Sequence, residues 1–333
     1  MGTEFIGWIV IASLYVLLFL TFLLLASISY YEYIRSPSRG GLQYFVIYAV
    51  PASLAVLLLV GAAVFFGLSS LQLILTFAAV FFILSGVYIM RDRGEYYCSK
   101  EEPVSAGSLD FVVCYGGSVN AWYNHGKKRI YIGDKLLKVL NEEELKALYY
   151  HEEGHRKRSY LAHLLGSIRL VWLLFFSLAF VIVWVIAFGT ASVAIWDYLF
   201  LLVILVSMTS SISAISIMWN WLSEHESDVY SAGKIGAKPL ITALVKLYVH
   251  GWLEKSGIPA YSARVSPDLD VEAIVKELGK TRFLQIFKLL LRRSLHSALG
   301  VVRATSIYEA PIPDTHPPLE YRVLVLWRSR LTR

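Results

Sequence analysis

Five runs of apolar residues constrain this chain more than any other feature: Phe5 to Tyr30, Tyr44 to Leu68, Leu71 to Met90, Leu170 to Ala187 and Tyr198 to Trp219. A helix needs roughly 20 such residues, at about 1.5 Å each, to cross about 30 Å of hydrocarbon. The composition agrees, with 56% hydrophobic and only 17% charged residues and a mean hydropathy of +0.57. The expected fold is mainly α, a multi-pass helical membrane protein whose first partner is the lipid bilayer. The first run has no Lys or Arg before it and no clear small-residue cleavage site after it, so it reads as an anchor and not as a removed signal.

Basic residues orient the spans. Arg35 and Arg39 lie between the first two, Arg91 and Arg93 follow the third, and Arg156 to Arg158 precede the fourth, whereas the other loops carry none. The positive-inside rule then puts the N-terminus outside and the polar regions, with any active site they hold, on the cytoplasmic side of the cell membrane. Two regions are expected: residues 1–93 with three spans, and residues 94–333, interrupted by a membrane hairpin at about 170–219. Cys98 and Cys114 fall in the part assigned to the cytoplasm and are read as reduced thiols. The net charge of +6 fits the positive-inside bias and attraction to anionic headgroups, and no nucleic-acid motif accompanies it. Three Gln and four Asn in 333 residues are few, a composition compatible with a thermophilic source.

Within the polar region stands His151-Glu152-Glu153-Gly154-His155. On a helix, H-E-x-x-H puts two imidazoles on one face, where they grip a zinc ion, with the intervening Glu152 placed as general base for peptide hydrolysis. Asn141 followed by Glu142, Glu143 and Glu144 reads as a helix N-cap with a capping-box glutamate, so the motif is expected on a helix beginning there.

A catalytic zinc takes a third protein ligand and keeps a position for water. The junction Gly189-Thr190 between the last two spans lies equally far from His155 and from Glu224, so an antiparallel hairpin brings Glu224 level with the histidines. The site then stands about 22 Å from the hydrocarbon edge. Glu226 points to the opposite side, Asp228 shares a face with Glu224 and can orient a ligand histidine, and His225, a rival ligand by residue type, points about 100° away.

The motifs now in view resemble those of the HtpX-like membrane zinc metalloproteases, relatives of the type I CAAX prenyl proteases. Asn120-Ala121-Trp122 is similar to that family's N-A-aromatic element, and strand-like Arg129 to Ile132 and the H-E-x-x-H helix follow. Glu224-His225-Glu226-Ser227-Asp228 resembles E-x-x-A-D, and His316-Pro317-Pro318 through Arg322 resembles H-P-P-x-x-x-R. The chain departs from the pattern in Glu153, Ser227 and His225, which stand where the family often has an apolar residue, Ala and an aromatic.

The resemblance implies a cytoplasmic zincin-like domain with a small β-sheet, one Zn²⁺ per chain held by His151, His155 and Glu224, and Asp228 in support. It further implies an endopeptidase acting on misfolded or damaged membrane and membrane-associated proteins. His316 is the candidate oxyanion donor, and Arg322, if helical, pairs with Asp228 or Glu320. Extended substrate is expected to add as a strand at Lys128 to Ile132, with Asn120, Ala121 and Trp122 beside the cleft. Lys280 to Arg293 reads as a basic amphipathic helix, either on headgroups or within the domain. Two other functions fit the motifs less closely: processing of prenylated or C-terminal peptides, and a non-catalytic zinc-stabilised scaffold, against which the intact Glu152 argues.

Overall fold

The computed structural model describes residues 2–35, 37, 98–107, 109–116, 119–124, 126–157, 195–255, 282–303 and 316–331. The expected spans at Tyr44 to Leu68, Leu71 to Met90 and Leu170 to Ala187 fall outside these residues, as does the boundary between residues 93 and 94.

The first apolar run folds as helix α1, Gly2–Arg35. Phe19, Phe22, Leu23, Ala26, Tyr30 and Tyr33 recur every three or four positions and are buried, while Leu17, Leu20, Leu24 and Ile28 recur the same way on another face and stay exposed. Among the described residues, Tyr15–Arg35 is long and apolar enough to cross a membrane, by length and composition.

The polar region opens with four strands: β1 (Lys100–Ala106), β2 (Leu109–Tyr115), β3 (Ala121–Asn124) and β4 (Arg129–Gly133). They form a mixed sheet in the order β1-β2-β4-β3, antiparallel except for the β2–β4 pair. Alternation along β2 sends Leu109, Phe111 and Val113 to one face, where Ile130, Ile132, Leu136 and Leu148 complete a core, and Val112 and Cys114 to the other, where Tyr131 and Trp122 stack at 5.3 Å.

Two expectations are corrected here. Lys128 to Ile132 is not an exposed edge, because β4 pairs with β2 on one side and β3 on the other; among the described strands the edges are β1 and β3. Alternation identifies a half-buried strand, but it does not say which strands flank it. Cys98 and Cys114 are not free thiols but a disulfide. The hairpin register pairs Glu101 with Cys114, and Ser99 N donates to Tyr115 O at 2.9 Å, which carries Cys98 to the end of β2.

Helix α2 spans Glu142–Arg156 and starts with the expected reciprocal cap: Asn141 Oδ1 accepts from Glu144 N, and Glu144 Oε2 accepts from Asn141 N, both at 2.9 Å. Lys246 Nζ donates to the same Glu144 carboxylate at 2.7 Å, tying α2 to α4. Helix α3, Ile195–Ile235, contains the fifth apolar run and continues unbroken through Glu224. It ends at Gly236, whose φ of 91° suits glycine, before α4, Ala237–Lys255. Helix α5, Phe283–Arg303, buries Ile286 and Leu290, and α6, Leu319–Leu331, buries Val323 and Leu326. Helices α1, α5 and α6 all pack on α3, and α2 lies between α3 and the sheet.

Candidate metal centre

The centre forms where α2 crosses α3. Gly154 makes the approach possible: a Cβ there would stand 2.8 Å from the Cα of Ser227. With the backbones this close, His151 and His155, one turn apart on α2, face Glu224 on α3.

Three separations define the site. The two histidine Nε2 atoms are 3.2 Å apart, His151 Nε2 is 3.4 Å from Glu224 Oε2, and His155 Nε2 is 3.3 Å from Glu224 Oε1. Nitrogen and oxygen ligands about 2.05 Å from a tetrahedral metal stand roughly 3.3 Å from one another. The donor set therefore fits a metal ion by spacing as well as by chemistry, and all its ligand atoms lie within 4.8 Å of one another.

Each histidine has its other nitrogen engaged by α3. Asp228 Oδ1 accepts from His151 Nδ1 at 2.9 Å, and Ser227 Oγ lies 3.0 Å from His155 Nδ1. With both Nδ1 atoms so occupied, both Nε2 atoms turn to the shared position. Arg322, from the first turns of α6, grips Asp228 with two bonds, Nε to Oδ2 at 2.9 Å and Nη2 to Oδ1 at 2.6 Å, and also stands 3.4 Å from Glu224 Oε2. Pro318 O accepts from both Tyr321 N and Arg322 N, so the helix that carries Arg322 begins right after the proline pair.

The electrostatics follow from this packing. Burial opposes charge on His151, but its bonds to Asp228 and Glu224 overcome that and push its pKa up to about 9. Burial likewise works against ionised Glu224, yet the charges of His316 and His155 and the bonds to both ligand histidines hold its carboxyl well below the usual range. Asp228 is also held down despite burial, by Arg322 and His151. His225, buried beside them, is pushed down to about 4 by desolvation.

Glu152 is buried on α2 and close enough to Arg322 for their charges to interact. His316 is brought to the site from the other side, its Nε2 4.0 Å from Glu224 Oε1 and its side chain 59% exposed. Asn120, just before β3, uses its side chain locally, accepting from Ala121 N at 2.9 Å, while Ala121 and Trp122 are buried on opposite faces of the sheet. Any contact of Ala121 or Trp122 with a peptide therefore runs through the backbone of the edge strand. Glu153, on the far side of α2 from the ligands, accepts from Tyr230 Oη at 3.1 Å and from Arg156 at 2.8 Å, which accounts for a carboxylate in a mostly buried position.

The expected residues His151, Glu152, His155, Glu224, Asp228, His316 and Arg322 are gathered at one place. Sequence reasoning missed Ser227 as a partner of His155. The signal was present, since Ser227 follows Glu224 by three residues and so shares its helix face. It also missed the contact of His225 with Tyr30 of α1, which no local pattern announces.

A curated protein from Thermoplasma volcanium named Protease HtpX homolog is 31% identical to this chain over 161 residues. The match covers 48% of this chain and 51% of the relative, so the chain spans about half the length of the curated relative it matches. No solved structure matches. The description of peptidase family M48 matches residues 99–328, which takes in the sheet, the α2–α3 crossing and Arg322. With more than half of its length so matched, and with the ligand cluster inside the matched part, the chain belongs to peptidase family M48.

Proposed function

We propose that this chain is a multi-pass membrane zinc endopeptidase, active on the cytoplasmic side, that hydrolyses peptide bonds of misfolded or damaged membrane and membrane-associated proteins. The observation that carries the reading is the convergence of His151 Nε2, His155 Nε2 and the Glu224 carboxylate at tetrahedral spacing, with Glu152 on the same helix. Two imidazoles and a carboxylate suit Zn²⁺ by ligand type. Membrane attachment is supported by the apolar exposed stripe of α1.

The chemistry a bound zinc supplies is acidification of a water and polarisation of the scissile carbonyl. Glu152 accepts the proton of the attacking water and returns it to the leaving amine. His316, exposed at the mouth of the site, donates to the oxyanion as the carbonyl becomes tetrahedral. Asp228 and Ser227 hold the ligand histidines, and Arg322 holds Asp228. An extended peptide pairs with the edge strand β3, a mode of binding that reads backbone and selects little for sequence, as removal of damaged proteins requires.

The test is cleavage of an unfolded model protein by detergent-purified, zinc-loaded wild type and Glu152→Gln, with zinc quantified in both. Cleavage by the wild type, with turnover reduced about 10²- to 10⁴-fold in the variant at equal zinc, is the expected result. Equal turnover in both eliminates Glu152 as the base, and no turnover in either removes the endopeptidase reading.

A further inference from the structure

A buried hydrogen bond joins the apolar N-terminal helix to the metal centre. Tyr30 Oη of α1 lies 2.7 Å from His225 Nε2 of α3, and both side chains are fully buried. The His225 ring sits against Tyr30 and Tyr33, each at a centroid distance of 5.7 Å. Its Nδ1 has no hydrogen-bond partner among the described residues and stands 3.9 Å from Asp228 Oδ2. The other oxygen of that carboxylate holds His151.

A neutral imidazole carries one N–H and one lone pair, so the two nitrogens cannot be satisfied independently. If Tyr30 accepted from Nε2–H, the Nδ1 lone pair would face the Asp228 carboxylate, a repulsion that low-dielectric surroundings magnify. If Tyr30 donates to Nε2, the N–H sits on Nδ1 and points toward the carboxylate, an attraction that needs a movement of about 1 Å to become a hydrogen bond of ordinary length. The tyrosine hydroxyl thus selects the tautomer that adds a third donor to Asp228, beside Arg322 and His151.

Resting on the metallopeptidase reading above, we infer that Tyr30 and His225 are positioning residues of the metal centre. Tyr30 holds His225 in its Nδ1–H form, His225 braces Asp228, and Asp228 directs His151 to the metal. Helix α1 is then part of the working site as well as an anchor.

The experiment measures zinc affinity of the full-length chain in detergent by competition with a chromophoric chelator, and the visible absorption of the Co²⁺-substituted protein. The proteins compared are wild type, Tyr30→Phe, His225→Phe and the double variant. Tyr30→Phe removes one oxygen and is expected to weaken zinc binding about tenfold and to shift the Co²⁺ bands. The double variant is expected to lose no more than His225→Phe alone, because both changes cut the same connection. Wild-type affinity and an unchanged Co²⁺ spectrum in Tyr30→Phe, even with a lowered Tm, overturn the inference and leave a packing contact. A wild type that binds no zinc overturns the metal-site reading and this inference with it.

Discussion

His151 and His155 present the same ring nitrogen to the metal position because α3 claims the other nitrogen of each, one with a carboxylate and one with a hydroxyl. The hydroxyl is the simpler to test. Ser227→Ala leaves the fold's backbone contacts in place but frees His155 Nδ1, and zinc affinity is expected to fall about tenfold, read by chelator competition; unchanged affinity would show that packing alone orients the ring. The carboxylate has a consequence in pH. A metal-free His151 with its pKa pushed up to about 9 is protonated at neutral pH, and zinc binding must expel that proton. Apparent zinc affinity is therefore expected to rise roughly tenfold per pH unit up to about 9. Zinc titrations at three pH values check the slope, and a flat profile from pH 7 to 9 would contradict it.

At the scale of elements, the start of α2 and its crossing with α3 have different origins. The start is local: Asn141 and Glu144 exchange bonds across three residues, and Asn141→Ala is expected to cost about 1 kcal/mol in thermal or denaturant unfolding. The crossing is not local. Gly154 is tight against the backbone of Ser227, which cannot yield as a flexible side-chain tip would. Gly154→Ala is expected to cost about 1–3 kcal/mol and to separate the ligands from Glu224, lowering zinc content and Tm together. A variant with normal zinc content would show that α3 can retreat without losing the site. Position 154 gave no sign of this in the sequence, because its neighbour lies on another helix and the glycine sits in an otherwise ordinary helical stretch.

For the whole molecule, the disulfide bears on which side of the membrane the sheet occupies. The proposed orientation places it in the cytoplasm, whereas a Cys98–Cys114 bond is expected in an oxidising compartment or in proteins of hyperthermophiles. With both native cysteines paired, a new thiol at the exposed position Glu143 reports alone. Glu143→Cys is expected to resist an impermeant maleimide in intact cells and to react after lysis. Labelling in intact cells would reverse the orientation. In either case Leu17, Leu20, Leu24 and Ile28 form an exposed apolar stripe on α1, which the proposed membrane attachment would cover with lipid.

The sequence by itself determined what depends on neighbours along the chain. The H-E-x-x-H spacing places two imidazoles on one helix face, the capping box starts that helix, and the apolar runs at Phe5 to Tyr30 and Tyr198 to Trp219 mark the helices α1 and α3. It also carried the order of motifs by which Glu224, Asp228 and Arg322 were singled out. Tertiary structure decided what depends on residues far apart: that β4 is interior and β3 at an edge, that Cys98 meets Cys114, that Ser227 meets His155, and that Tyr30 of the first helix reaches His225. Periodicity specifies which face a side chain occupies, but the partner on that face is chosen by packing among distant elements, and no local pattern encodes it.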